Sequence, residues 1–95
     1  MKSVWKFPLN PIQDFLEIEM PAGARLLTVR TQYSNNTAVL WALVDPEARK
    51  VKRRLRLAGT GHPLTDLESA HWVDTVLLLH DNFVLHVFDL GEVES

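Results

Sequence analysis

The run AVLWALV at residues 38–44 is apolar at every position. It is far too short for a membrane helix, which needs roughly 20 apolar residues. An uninterrupted apolar run bounded by polar turns reads instead as a central strand covered on both faces. The preceding segment supports this. Arg25 to Tyr33 alternates with a period of two, placing Leu27, Val29, Thr31 and Tyr33 on one face and Leu26, Thr28, Arg30 and Gln32 on the other. Between the two segments, Ser34-Asn35-Asn36 supplies a turn, because Asn tolerates positive φ. The pattern predicts a hairpin of Arg25–Tyr33 with Thr37–Asp45.

A second hairpin is expected from Trp72–Leu79 and Phe83–Leu90, two β-branched and aromatic runs flanking the polar His80-Asp81-Asn82. Ser3–Phe7 and Phe15–Met20 are weaker strands, the first with Trp5 and Phe7 on one face, the second with Leu16, Ile18 and Met20. Asp66–Ala70 fits one helical turn. Asn10-Pro11 and Asp45-Pro46 each place a capping residue before a proline, as helix starts do. A helix after Asp45 would align Ala48, Val51 and Leu55 but leave Leu57 off the stripe. A strand puts Val51, Leu55 and Leu57 together inward and Lys50, Lys52, Arg54 and Arg56 together outward, and the alternation favours it. Strands apolar on both faces need two packed layers or closure. The expectation is one mainly β domain over residues 1–95: a small antiparallel two-layer sandwich or partly open barrel of about 6–7 strands, with at most one short helix and disordered last residues. Strand order and oligomeric state stay open.

A chain of 95 residues can bury one core. It has no cysteine, which excludes disulfides, thiolate metal sites and a Cys nucleophile. Lys6 and Pro8 interrupt the N-terminal segment, so no export signal is expected. His80, Asp81, Asn82 and His86 break the stretch Val76–Phe88, so no membrane contact is expected either. The formal net charge of −2 hides an asymmetry. Arg49, Lys50, Lys52, Arg53, Arg54 and Arg56 give one segment +6, leaving about −8 on the rest.

The motifs WKFPL, EMPAGARLLTV, LWALVDP, GTGHP and VLHVF, with KFPL and MPAGA at the centre of the first two, resemble a family of small tailed-phage and prophage proteins grouped as a domain of unknown function. The resemblance spans nearly the whole chain and implies no catalytic residues. It implies a viral protein working in the bacterial host cytoplasm, and extended structure at Phe15–Met20 and Val51–Leu57. Asn10–Phe15 and the charge density at Arg49–Arg56 depart from the family pattern.

Three features are candidate sites. Alternate residues on a strand repeat every 6.6 Å or so, so Lys50, Lys52, Arg54 and Arg56 form a ladder of cations. The ladder could meet an acidic protein or follow a phosphate backbone. It could equally be a solvated sheet edge, with Arg53 as an inward charge, or pair with Glu17 and Glu19. For nucleic acid, four contacts imply a salt slope of only about −3.6, and no recognition helix or aromatic RNA-binding signature accompanies them. The loop GTGHP offers Gly59, Gly61 and His62 as an anion-binding loop, or as an ordinary turn. His62, His71, His80 and His86 lack metal-ligand spacing, so no metal and no cofactor is expected. His86 reads as a hydrogen-bonded core residue.

The reading that follows is a non-catalytic phage accessory protein that binds and inhibits or redirects a host or anti-phage defence protein with an acidic surface. Lys50, Lys52, Arg54 and Arg56 would supply charge and Trp72 an aromatic anchor, although Trp72 in a strand also reads as core. The alternatives are a weak, sequence-tolerant nucleic-acid binder using residues 50–56, or a virion or assembly protein. A homodimer fits any of these.

Overall fold

In a computed structural model the described residues form seven strands and no helix. The structure describes residues 1–10, 13–32, 34–64, 70–78 and 83–93. The strands are β1 (Ser3–Leu9), β2 (Phe15–Pro21), β3 (Arg25–Gln32), β4 (Ser34–Val44), β5 (Lys50–Gly59), β6 (His71–Leu78) and β7 (Phe83–Val93). A three-stranded sheet has the order β1-β4-β3 and a four-stranded sheet the order β2-β5-β7-β6, with every pairing antiparallel. The shortest Cα extent is 17 Å, enough for two sheets stacked about 10 Å apart and no third layer. The fold is a compact two-layer sandwich, not a closed barrel.

Alternation builds the core. Ala38, Leu40, Ala42 and Val44 of β4 are all buried to 0% exposure and cluster with Leu55 and Leu57 of β5 and Leu85 and Val87 of β7 from the other sheet, while Val51 of β5 is buried as well. Each fully buried Leu or Val contributes roughly 1.5–3 kcal/mol through its removal from water. Leu16, Ile18 and Met20 of β2 also point inward, as their spacing predicts.

Both expected hairpins form, with local corrections. Pairing of β3 with β4 runs to Gln32↔Ser34, so Ser34–Asn36 is strand and not turn. A bulge between Leu26 and Thr28 breaks the alternation of β3. Leu26 therefore packs on the core with Val29, while Leu27 is 42% exposed. After Asp45 there is a turn instead of a helix: Glu47 N–H donates to the Asp45 carboxylate at 3.0 Å and Ala48 N–H to the Asp45 carbonyl at 3.0 Å. The capping signal marked a side-chain-supported turn. The expected features at Pro11, Tyr33, Asp66–Ser69, His80–Asn82 and the last two residues lie outside the described residues.

Half-buried polar groups tie the layers together. Arg53 points inward from β5, as expected, but β5 lies between β2 and β7 and is not an edge. Its guanidinium grips Asp89 of β7 and donates to the Ala24 carbonyl at 2.7 Å. Gly91, at a φ of 98°, sits beside the β7 bulge that lets Asp89 and Glu92 both reach Arg53. Across the layers, Asp74 of β6 accepts from Thr28 Oγ1 at 2.5 Å and from Val29 N–H at 3.0 Å on the neighbouring edge of β3. One side of the sandwich is thereby stitched shut.

Candidate interaction face

The register of the four-stranded sheet places one row of side chains across its outer face. Phe15 lies opposite Arg56, Arg56 opposite Phe88, and Phe88 opposite Trp72. Directly opposed residues share a face, so three aromatic rings and a guanidinium cross the sheet in line. Trp72 is 61% exposed and Phe15 58%. Trp72 is therefore no core residue. It stands on β6, where the bulge between Trp72 and Asp74 lets Val73 pack inward beside it.

Arg56 does not project as the sequence pattern predicts. It faces outward yet is only 9% exposed. Its guanidinium lies 5.0 Å from the Phe15 ring centroid and donates to the carbonyls of Leu57, Asp14 and Pro63. The Asp14 carboxylate stands 3.7 Å away. The 60–64 segment and the lead-in to β2 fold over it, which the alternation of β5 alone could not reveal.

The rest of the predicted ladder is divided as well. Lys50 Nζ lies over the Trp5 ring of the other sheet, 5.1 Å from its centroid. Arg54 is opposite Glu17, with 3.7 Å between Nε and the carboxylate, and both side chains are about half exposed. A pair so exposed is worth well under 1 kcal/mol. Lys52 sits opposite Glu19, both exposed. Of the four ladder cations, only Lys52 has no ion pair or ring contact with a described residue.

The next row holds a hydrogen-bond chain. Trp72 Nε1–H donates to Thr75 Oγ1 at 3.0 Å, Thr75 Oγ1 lies 3.0 Å from His86 Nδ1, and His86 Nε2 lies 2.8 Å from Thr60 Oγ1. A hydroxyl beside an imidazole looks like a nucleophile and its base. An indole nitrogen can only donate, and a hydroxyl that accepts becomes the stronger donor, which favours the Thr75 proton on the Nδ1 side and the His86 proton on Nε2. In that tautomer the imidazole accepts from Thr75 Oγ1 and donates to Thr60 Oγ1. His86 is thus hydrogen-bonded as expected, but on the outer face and not in the core.

In the GTGHP loop, His62 N–H donates to the Gly59 carbonyl at 3.2 Å, closing a turn in which Gly61 has a φ of 85°. That is the third position of a type II turn, where glycine is favoured. Gly59 N–H donates to His62 Nδ1 at 3.2 Å, and a Cβ at Gly59 would meet His62 Cε1 at 2.9 Å. The imidazole occupies the space over Gly59. The turn brings Gly59, Gly61 and His62 together, with the Gly59 amide already used.

Among the described residues no group of His, Asp and Glu is placed to hold a metal ion, and no helix is long and apolar enough to cross a membrane. Phe15 and Phe88 are the members of the aromatic row that sequence reading missed. Their pairing depends on a register that no local pattern contains.

Neither a curated protein nor a solved structure matches the chain. The family model described as a domain of unknown function, DUF7352, matches residues 1–95, and the chain belongs to that family.

Proposed function

We propose that this domain is a non-catalytic phage accessory protein whose outer four-stranded face binds a host or anti-phage defence protein and inhibits or redirects it. The observation that carries the proposal is the pair of exposed rings, Trp72 at 61% and Phe15 at 58%, in one row with Arg56 and Phe88. Interface energy concentrates in Trp, Tyr and Arg anchors. Both rings are already oriented, Trp72 by its bond to Thr75 and Phe15 by the guanidinium beneath it. Little freedom remains to be lost on binding. Lys52 and Arg54 flank the row and favour an acidic rim on the partner. The phage setting rests on the motif resemblance alone.

Phosphate binding has less support on this face, because Glu17 and Glu19 alternate with Arg54 and Lys52 across the strand pair. A backbone following the cations would run beside carboxylates within one strand spacing, about 4.8 Å.

Affinity capture from infected cells with the wild-type chain, Trp72→Ala, and the pair Lys52→Glu/Arg54→Glu tests the proposal. A specific bacterial protein held by the wild type should be depleted about tenfold by either change. A partner retained equally by all three would remove this face from the interface.

A further inference from the structure

The densest basic run lies in a sheet that is electrically balanced. The five cations of β5 share their sheet with Glu17 and Glu19 on β2 and Asp89 and Glu92 on β7, and with Asp74 on its β6 edge. The three-stranded sheet is different. Strands β1, β3 and β4 contain Lys6, Arg25 and Arg30 and no Asp or Glu.

The register puts all three cations on one side. Lys6 is opposite Trp41, Arg25 opposite Leu43, and Arg30 opposite Val39. Since the alternate residues Leu40 and Ala42 are buried to 0% in the core, this side is the outer face of the sandwich. Its middle strand presents Trp41 and Leu43, both half-buried, and β1 adds Val4 at 53% exposure. Among the described residues, the Asp74 carboxylate reaches this sheet from the other layer, where Thr28 and the Val29 amide hold it at the β3 edge, and it offsets Arg30 in part. Arg25 has no ion pair with any described residue. The result is an apolar centre with cations at its edges.

We propose that this outer face of the three-stranded sheet is a second docking surface, and that its occupant is an acidic, partly apolar segment of a partner protein. Apolar side chains of the segment would cover Trp41 and Leu43 while its carboxylates reach Arg25 and Arg30. An apolar core with a polar rim is the usual layout of a protein interface, and the rim charge sets the sign of the partner. Single-stranded nucleic acid fits less well. It needs successive rings for its bases and a cationic track for its phosphates, whereas here one indole stands among aliphatic side chains and the cations lie on opposite edges, roughly 10 Å apart. This surface is the opposite side of the sandwich from Trp72, so the proposal stands independently of the function proposed above.

Each tryptophan reports a different place: Trp5 between the layers, Trp41 on this face, Trp72 on the other. The test is a titration of the ¹⁵N-labelled chain with a short synthetic peptide alternating aspartate and leucine. The Trp41 indole peak and the amides of Thr28, Arg30 and Leu43 should move while the Trp72 indole stays. Arg25→Glu/Arg30→Glu should weaken binding about tenfold, and Arg25→Gln/Arg30→Gln, the variant to use if charge reversal impairs folding, should weaken it by less. Equal binding of the same peptide with asparagine for aspartate would overturn the proposal. So would a response at Trp72 alone, tighter binding of oligothymidylate at Trp41, or Trp41 shifts that follow protein concentration without peptide.

Discussion

Arg53 and Asp89 meet through two parallel hydrogen bonds, Nε to Oδ1 at 2.9 Å and Nη2 to Oδ2 at 2.7 Å, with both side chains under 15% exposed. This bidentate geometry is the strongest form an Arg–carboxylate pair takes. It locks β5 to β7, and through the Ala24 carbonyl it holds the turn that leads into β3. Burial works to raise the Asp89 pKa. The hydrogen bonds from Arg53 and Gly91 N–H, with the Arg53 charge, outweigh that and hold it below the ordinary 3.8.

Asp89→Asn should lower stability by about 1–3 kcal/mol, because a half-buried guanidinium loses its bidentate carboxylate and keeps only Glu92, at 3.7 Å, as a charged partner. A depressed carboxylate pKa stabilises the fold above its unfolded value, near 3.9, and that contribution is lost as pH falls through the lower folded value. The wild type should therefore lose stability below about pH 4 more steeply than Asp89→Asn. Urea unfolding at neutral and acid pH checks both statements. Parallel pH profiles would show that the pair carries no linkage.

Asp74 makes a similar prediction between the layers. Burial again opposes ionisation, but bonds from Thr28 Oγ1 and the amides of Val29 and Thr75, with the Arg30 charge, bring its pKa below 3.8. Thr28→Val should raise that pKa toward the ordinary value, read from the carboxyl ¹³C shift. Asp74→Ala should cost about 1–3 kcal/mol, since the Val29 amide at the β3 edge loses its acceptor.

Gly59→Ala should cost under about 1 kcal/mol, since it displaces an exposed His62 ring that can turn aside at the loss of its bond from the Gly59 amide. In a His62→Ala background the same change should be close to neutral, a coupling that a double-mutant cycle measures directly. Equal costs in both backgrounds would mean that the ring is not what restricts position 59.

Much of this architecture is legible in the sequence because it is written as alternation. β4 is found from its unbroken apolar run, β5 from the inward set Val51, Leu55 and Leu57, and β2 from Leu16, Ile18 and Met20. The pairing of Arg54 with Glu17 follows once both strands are placed. The rest depends on long-range register. Nothing local shows that β5 is flanked on both sides, that Pro63 and Asp14 close over Arg56, or that Phe15, Phe88 and Trp72 share a row. The bulges at Leu27, Val73 and Leu90 shift the alternation in ways a period of two cannot anticipate. The charge-dense run lies in the balanced sheet, and no local pattern marks the three-stranded one, whose cations share a face only through register.

The bond from the Trp72 indole makes Thr75 Oγ1 the better donor and so favours one His86 tautomer. Long-range ¹H–¹⁵N correlation spectra at neutral pH should show the proton on Nε2, and Thr75→Val should perturb both His86 and the Trp72 indole. A proton on Nδ1 would reverse the chain and leave His86 free to act as a base toward Thr60.

The aromatic row of Phe15, Arg56, Phe88 and Trp72 is the surface proposed to meet a partner. The three indole N–H peaks test it most directly, in a titration of labelled protein with the partner recovered by capture. The Trp72 peak should shift or broaden at substoichiometric partner while the Trp5 peak does not, and Phe15→Ala should weaken the response about tenfold. A bound state in which Trp72 and the amides of Phe15, Arg56 and Phe88 are all unchanged would contradict it.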